Sequence, residues 1–231
     1  MSGFEDRVII ITGASGGLGR SVTQAFLETG ATVAGVSIDI DNSITHSRFM
    51  SEAADLGSWD ATRAVVDGVA ERFGRIDVLA HLTGGFAGGA SVAVTEDDVW
   101  ERMLTVNLRT AVHATRAVIP HMRKAGWGRI LAIGSLAALE PAAGIGAYSA
   151  SKAALVSLVR TIAKENKDAG ITANAVLPGT MDTPANRAAM PGGDPKTWIQ
   201  PDRVAALLVW LASDAAAQVT GTVIPLYGAD V

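Results

Sequence analysis

Two side chains that can exchange protons stand four residues apart at the head of an apolar segment. They are Tyr148 and Lys152, and the segment runs on to Ala163. Because residues four apart share one face of a helix, the phenol and the ammonium group should point the same way. A free phenol has a pKa of about 10, and a nearby cation lowers that pKa. The pair therefore suits proton transfer in alcohol or carbonyl chemistry, although ordinary surface side chains also show this spacing.

Two further polar residues precede this pair. Asn107 interrupts a long helical pattern that begins with a Thr95 cap. An asparagine inside a helix is either solvated or marks a kink with its side chain used inside the protein. Ser135 follows a predicted strand at 129–133, and open α/β sheets bind ligands beyond the carboxyl ends of their strands. A serine that only caps a turn is the alternative for Ser135.

A glycine-rich turn between a strand and a helix is predicted near the N-terminus. A β-branched run at 8–11 predicts a buried parallel strand, and a helical segment covers 18–29. Between them, residues 12–19 read Thr-Gly-x-x-x-Gly-x-Gly. Glycines let a pyrophosphate approach the backbone, and the start of the helix supplies free N–H groups. A glycine turn without a ligand is the alternative.

The end of the second predicted strand, at 32–36, would read the adenosine ribose of a dinucleotide. In such folds an acid binds the 2′-OH of NAD, and a basic residue binds the 2′-phosphate of NADP. Ser37 stands at this position, followed by Asp39 and Asp41, with Arg48 as the nearest cation. The carboxylates favour NAD and the arginine favours NADP, so the choice stays open.

Strands alternate with helices along the chain, which predicts one α/β domain over 1–231. The pattern indicates a Rossmann-type, doubly wound parallel sheet of about seven strands with helices on both faces. A second glycine-rich stretch at 83–89, after a strand at 77–82, would let a ligand or backbone lie close. The segment 184–200 is rich in Pro, Gly and Met and predicts a mobile substrate lid. The remaining predicted elements are an irregular stretch at 39–48, strands at 49–53, 171–177 and 223–226, a helix at 59–73 capped by Ser58, and a helix that starts at Pro201.

The composition excludes several classes of protein. Of 231 residues, 48% are hydrophobic and 18% are charged, which predicts a large core and not a disordered chain. A net charge of −4 without a basic run argues against nucleic-acid binding. There is no cysteine, and the four histidines lack ligand-like spacing, so no metal site is expected. Neither a signal peptide nor an apolar run of about 20 residues is found, which predicts a soluble, cytoplasmic protein without membrane contact.

Together these motifs resemble the short-chain dehydrogenase/reductase family over nearly the whole chain. The resemblance implies an enzyme that uses NAD or NADP to transfer hydride between the nicotinamide and a small carbonyl or alcohol substrate. It places the family's catalytic tetrad on Asn107, Ser135, Tyr148 and Lys152. It implies that Tyr148 exchanges the proton and that Ser135 hydrogen-bonds the substrate oxygen. Lys152 would lower the pKa of Tyr148 and hold the ribose, and Asn107 would hold a water that links Lys152 to solvent.

The resemblance also implies which residues contact the cofactor. They are Gly13, Ser15, Gly17, Leu18, Gly19, Ser37, Asp55, Leu56, Thr83, Gly84, Tyr148, Lys152, Pro178, Gly179, Met181 and Thr183. Asp55 would contact the adenine, and Thr183 the nicotinamide amide. A homodimer or homotetramer is implied as well, and the apolar helical segments at 147–163 and 204–212 fit such contacts.

Two loops resemble the dihydropteridine reductase branch of the family. Residues 81–84 read His-Leu-Thr-Gly where the family usually has Asn-Asn-Ala-Gly, and 81–89 and 175–187 both match that branch. Ser37 and Ser135 depart from it, because the branch keeps an acid at the first position and lacks the serine at the second. Phe86 and Trp198 are candidates to line the substrate site. The alternatives are thus a general carbonyl reductase, a quinonoid dihydropteridine reductase, a 3-oxoacyl thioester reductase, or a nicotinamide-sensing protein without catalysis.

Overall fold

A seven-stranded parallel sheet carries the rest of the fold. The computed structural model describes residues 3–39 and 43–228, so Asp41 lies outside the described residues. The strand order is β3-β2-β1-β4-β5-β6-β7, which confirms the predicted doubly wound sheet. The strands are β1 (Val8–Thr12), β2 (Thr32–Ser37), β3 (Phe49–Ala53), β4 (Val78–His81), β5 (Gly128–Ile133), β6 (Ile171–Pro178) and β7 (Val223–Leu226).

Helices cover both faces of this sheet. Helices α1 and α7 pack on each other on one face, and α2, α4 and α5 cover the other face. A π-helical turn, Thr105–Arg109, joins α3 to α4. The α-helices of the described residues are α1 (Gly17–Glu28), α2 (Trp59–Phe73), α3 (Asp97–Leu104), α4 (Thr110–Ala125), α5 (Gly146–Asn166), α6 (Pro184–Ala189) and α7 (Pro201–Ala212).

The side chains of the apolar central strands pack alternately into two hydrophobic cores, one on each face of the sheet. Val8 and Ile10 of β1 point into the core under α2, α4 and α5, whereas Ile9 and Ile11 point into the core under α1 and α7. This alternation follows from the two-residue period of a strand. It explains why the central strands are continuously apolar: both faces of each strand are buried.

One predicted helix cap is found and another is not. The Ser58 side chain accepts a hydrogen bond from the Ala61 amide and caps α2, as predicted. The predicted Thr95 cap is wrong: α3 starts at Asp97 with Glu96 in the capping position, and Thr95 instead donates to the Ser91 carbonyl at 2.8 Å. The helical stretch predicted through Asn107 is found, and Asn107 lies in a π-helical turn within it with its side chain inside the protein, as one of the two alternatives predicted.

The core beneath α1 should tolerate truncation poorly. The Phe26 side chain is fully buried and meets Phe4 edge to face, with ring centroids 5.8 Å apart. We expect Phe26→Ala to lower the free energy of unfolding by about 3–5 kcal/mol, through lost burial and the cavity left behind. Urea unfolding measures the loss, and the half-buried Phe73, changed to Ala, serves as the matched control with a smaller loss. Equal losses at the two positions would contradict this description of the core.

Candidate active site

Helix α5 brings the tyrosine and lysine to the carboxyl ends of β4 and β5. Lys152 is buried, and its Nζ donates a hydrogen bond to the carbonyl oxygen of Ile133, the last residue of β5, at 3.0 Å. Burial lowers the pKa of this ammonium group to about 8, because a charge loses its hydration inside the protein. The lysine is therefore held at the sheet edge by a main-chain contact.

The phenol of Tyr148 is half-buried, and its acidity differs from the expectation for a tyrosine beside a cation. Burial raises its pKa above the ordinary value of 10, and hydrogen bonding with the Ser135 side chain lowers it by a smaller amount. The predicted lowering by Lys152 is not found, since the lysine ammonium is directed to Ile133 instead. In the protein alone, Tyr148 is a protonated group at neutral pH.

Ser135 has the capping role that the sequence left as one alternative, and its ligand-binding role stays a prediction. It follows β5, and its hydroxyl accepts a hydrogen bond from the Ala137 amide at 3.2 Å, which caps the short 3₁₀ helix Leu136–Ala138. The same hydroxyl acts on the pKa of Tyr148. The cap therefore fixes the serine in a position where it faces the phenol.

Asn107 explains the π-helical turn. Its side chain is completely buried, and it forms a pair of hydrogen bonds with Gly85: Oδ1 accepts from the amide at 2.9 Å, and Nδ2 donates to the carbonyl at 3.0 Å. Nδ2 also donates to Ser151 Oγ at 3.0 Å, and Ser151 in turn donates to the Tyr148 carbonyl at 2.7 Å. Asn107 thus ties the second glycine-rich loop to the start of α5. The water-holding role stays a prediction.

Gly84 occupies a space that admits no side chain. A Cβ atom there would lie 2.8 Å from Asn107 Oδ1 and 3.0 Å from Lys152 Nζ. The loop can therefore approach both polar groups only because residue 84 lacks a Cβ. Sequence reasoning identified Gly84 through the family resemblance, but it missed Ser151 and Gly85, whose roles depend on contacts between distant segments.

A cleft of about 380 Å³ lies beside these groups, above the carboxyl ends of β1, β2 and β4. Gly13 adopts a left-handed φ of 69° beside Thr83, and a Cβ on Gly19 would lie 2.2 Å from the Gly13 carbonyl. No side chain caps the start of α1, so its first amides are available to an anion. Predicted cofactor residues that line this cleft are Gly13, Ser15, Ser37, Asp55, Leu56, Thr83 and Gly84. The lining does not include the other predicted cofactor residues, which are Gly17, Leu18, Gly19, Tyr148, Lys152, Pro178, Gly179, Met181 and Thr183.

Two predicted cofactor residues can offer only main-chain atoms to a ligand. The Leu18 side chain is buried in the core under α1, and the Leu56 side chain is buried in the core on the other face. Their apolar side chains pack, so any contact with the cofactor runs through the backbone. The Leu56 carbonyl already contacts His113 Nδ1 at 2.9 Å.

The charges around the cleft are acidic. Asp39 and Asp55 are the charged residues among the described residues that line it, and Ser37 Oγ accepts a hydrogen bond from the Ser15 amide at 3.1 Å. Arg48 donates to the carbonyl of Gly30. Arg48 precedes the amino end of β3, whereas Ser37 pairs with the carboxyl end of that strand at Ala53. The arginine therefore lies at the wrong end of the sheet to bind a 2′-phosphate at Ser37.

The segment after β6 closes the other side of the glycine turn. Pro178 ends β6, and the Gly179 amide donates to the Leu226 carbonyl at 2.9 Å. The Thr183 hydroxyl caps α6 by accepting from the Asn186 amide, and a Cβ on Gly17 would lie 3.0 Å from Thr183 Cβ. Met181 forms a bridge to Ile199, which holds the two ends of the 184–200 segment together. The lid role of that segment stays a prediction.

Two negative findings apply to residues 3–39 and 43–228. No group of three or more His, Cys, Asp or Glu side chains is placed to hold a metal ion. No helix there is both long enough and apolar enough to cross a lipid bilayer.

Known proteins share this sequence pattern and fold. The profile of the short chain dehydrogenase family matches residues 7–192, and the chain belongs to that family. A 3-oxoacyl-[acyl-carrier-protein] reductase of Thermotoga maritima is 32% identical, with 97% of this chain and 98% of that protein covered. The chain is thus an oxidoreductase of the short-chain dehydrogenase family that uses NAD or NADP.

Two solved structures resemble the fold closely. The 3-ketoacyl-(acyl-carrier-protein) reductase of Brucella melitensis, complexed with NADH, has a TM-score of 0.85 and 27% identity, with 97% of this chain and 98% of that chain covered. The aldohexose dehydrogenase of Thermoplasma acidophilum has a TM-score of 0.88 and 29% identity, with coverages of 97% and 94%. The resemblance of two loops to dihydropteridine reductases stays a prediction.

The buried ammonium of Lys152 should make stability depend on pH. Its pKa is about 8 when folded, against an ordinary value of 10.5, so the unfolded chain binds more protons between these values. Stability should therefore rise as the pH increases from 8 to 10.5. Lys152→Met, which removes the charge, should stabilise the protein at pH 7 by about 1–3 kcal/mol, and this gain should shrink above pH 8. Urea unfolding at several pH values measures the gain.

A lysine on the exposed side of the same helix provides the control. Lys164 is exposed, and Lys164→Met should show no comparable pH-dependent gain. A Lys152→Met protein that is less stable than the wild type at every pH would contradict the burial of a charged ammonium group at this position.

Proposed function

We propose that the protein catalyses reversible hydride transfer between a nicotinamide and a carbonyl or alcohol carbon, with Asn107, Ser135, Tyr148 and Lys152 as the working residues. The observation that carries the proposal is that the Ser135 hydroxyl acts on the Tyr148 phenol, one helical turn from the buried Lys152 and near the cleft lined by the glycine turn and Gly84. These groups supply proton transfer and oxyanion stabilisation at one place. A protein that only sensed the nicotinamide would not need them.

The roles follow from protonation and position. The bound cofactor supplies the hydride. In the reducing direction, Tyr148 gives its proton to the carbonyl oxygen, and burial keeps that proton on the phenol at neutral pH until it is needed. Ser135 donates a hydrogen bond to the same oxygen as negative charge develops there. In the protein alone the Lys152 ammonium is held at Ile133 and does not lower the Tyr148 pKa, so its stabilisation of the remaining phenolate is proposed for the cofactor-bound enzyme, in which the ammonium would turn toward the phenol.

Asn107 holds this arrangement together. Its contacts with Gly85 and with Ser151 join the loop after β4 to the helix that carries Tyr148. A loop that shifted would move Gly84, where an added Cβ would lie 3.0 Å from Lys152 Nζ. Such preorganisation matters, because small displacements of catalytic groups cost large factors in rate.

NAD(H) is the cofactor we infer for this site. Asp39 and Asp55 are the charges on its described walls, and Arg48 is engaged with Gly30. A 2′-phosphate would meet carboxylates without a compensating cation there, whereas a 2′-OH can hydrogen-bond to Ser37 or to a carboxylate.

Two substrate classes have a specific observation in their favour. Phe86 is 66% exposed and meets the Tyr148 ring edge to face at 5.0 Å, so an apolar ring borders the phenol and favours a flat ring such as a quinonoid dihydropterin. The relative from Thermotoga maritima is named a 3-oxoacyl-[acyl-carrier-protein] reductase, which favours a 3-oxoacyl thioester. A homodimer or homotetramer and a cytoplasmic location stay predictions of the sequence and its family resemblance.

Removal of the phenolic hydroxyl tests the proposal. Tyr148→Phe should lower kcat by about a thousandfold or more, because the proton donor is lost, while NADH binding stays within a few-fold of the wild type. The chain has one other tyrosine, Tyr227, whose phenol donates to Glu140 and which is not a predicted tetrad member. Tyr227→Phe is therefore the matched control and should keep wild-type turnover. Near-normal turnover by Tyr148→Phe would contradict the assignment of Tyr148 as the proton donor.

Cofactor preference provides a second test. We expect kcat/KM to be at least about tenfold higher with NADH than with NADPH, a difference of about 1.4 kcal/mol. Initial rates with both cofactors and one ketone measure the ratio. Asp39→Asn should lower the NADH-to-NADPH ratio of kcat/KM by improving the reaction with NADPH. Asp60→Asn changes an exposed aspartate on α2 and should leave this ratio unchanged. A preference for NADPH in the wild type would overturn the inference.

A further inference from the structure

A buried histidine bridges two segments at the edge of the cofactor cleft. His81 is the last residue of β4 and is 1% exposed. Its Nδ1 lies 2.9 Å from the hydroxyl of Thr12, at the end of β1, and its Nε2 lies 3.3 Å from the hydroxyl of Thr110, at the start of α4. Both ring nitrogens therefore have a hydroxyl partner.

The surrounding donors fix the direction of each hydrogen bond. Thr12 Oγ1 accepts from the amides of Leu82 and Thr83, at 3.1 and 3.3 Å, so its own proton is free to be donated to His81 Nδ1. Thr110 Oγ1 donates to the Val106 carbonyl at 2.8 Å, so it must accept from His81 Nε2. The imidazole is therefore neutral, with its single proton on Nε2.

Burial agrees with a neutral ring. It lowers the pKa of His81 to about 3, and the nearby positive charge of Lys152 acts in the same direction. An imidazole with this pKa does not exchange protons near neutral pH, so an acid–base role for His81 is excluded.

The hydrogen bonds through His81 form one chain across the site. One end holds the start of the second glycine-rich loop, where Thr83 lines the cofactor cleft. The other end holds Val106 in the π-helical turn, next to Asn107, and both Val106 and Thr110 line the cleft as well. The chain thus joins opposite parts of the cleft wall to the turn that carries a tetrad residue.

We propose that His81 is a positioning residue, which sets the distance between the glycine-rich loop after β4 and the π-helical turn through its two hydroxyl partners. The proposal rests on the proposed function for its effect on turnover. Its effect on cofactor binding and its tautomer are independent of any substrate. Sequence reasoning noted His81 as the start of the 81–84 motif and found no ligand-like spacing for it, but it did not predict these contacts, because the partners on β1 and α4 are distant in the chain.

Two matched threonine variants distinguish a positioning role of His81 from a general loss of stability. Thr110 and Thr115 are both buried on α4, and each donates to the carbonyl four residues earlier, at 2.8 and 2.7 Å. Only Thr110 also contacts His81. Thr110→Val should weaken NADH binding about tenfold and lower kcat by a similar factor, whereas Thr115→Val should change neither by more than about twofold. Equal effects of the two variants would overturn the proposal.

Variants of His81 itself test the same series of hydrogen bonds. His81→Leu should match Thr110→Val, and the double variant should be no worse than His81→Leu alone, since each change breaks the same link. His81→Gln should restore part of the NADH affinity, because its amide can still donate to Thr110, and His121→Gln on the outer side of α4 is the control. Additive losses in the double variant would count against the link.

The tautomer can be observed without any substrate. Long-range proton–nitrogen correlation spectra of the ¹⁵N-labelled wild-type protein should show His81 as a neutral ring protonated on Nε2, and unchanged from pH 8 to pH 5. Assignment comes from the signal lost in His81→Gln. A ring protonated on Nδ1, or one that titrates in this range, would overturn the proposal even if the protein proves to be a reductase. Absence of turnover alone, with the expected tautomer and NADH affinities, would refute only the proposed reaction.

Discussion

The arrangement of the site depends on one set of contacts, the hydrogen bonds that Asn107 forms with both main-chain groups of Gly85. A regular α-helix through this region is replaced by a π-helical turn, which places the Asn107 side chain inside the protein. Gly84 must then pass between Asn107 and Lys152, where no Cβ fits. The same amide reaches Ser151, whose hydroxyl holds the carbonyl of Tyr148. The loop, the turn and the helix that carries Tyr148 therefore form a single unit.

The polar groups of this unit act against stability. Lys152 is buried with a main-chain carbonyl as its partner, and the loss of hydration on burial lowers its pKa. Tyr148 is buried enough to hold its proton more tightly than a free phenol. Both perturbations are typical of functional sites, where groups are kept in environments that a purely structural residue would avoid. The two apolar cores of the sheet hold these groups in place.

The sequence predicted a secondary-structure element correctly where the cause of that element is local. The doubly buried strand at Val8–Thr12, the helix Trp59–Phe73 with its Ser58 cap and the last strand Val223–Leu226 each follow from side-chain alternation, capping chemistry or β-branched runs. The candidate site residues were predicted from their motif order through the family resemblance, but their physical states were not predicted. The raised pKa of Tyr148, the π-helical turn and the hydroxyl partners of His81 result from contacts between segments distant in the chain, which no local pattern encodes.

The most direct test of the account is the acidity of Tyr148, because it requires no substrate. Tyr227→Phe leaves Tyr148 as the single tyrosine, so phenolate absorbance reports on it alone. The account predicts a pKa above 10 in the free protein, because burial raises it, and a clear decrease when NAD⁺ binds and brings its positive ring close to the phenol. A pKa at the ordinary value, unchanged by saturating NAD⁺, would show a tyrosine remote from the cofactor and would contradict the central role assigned to it.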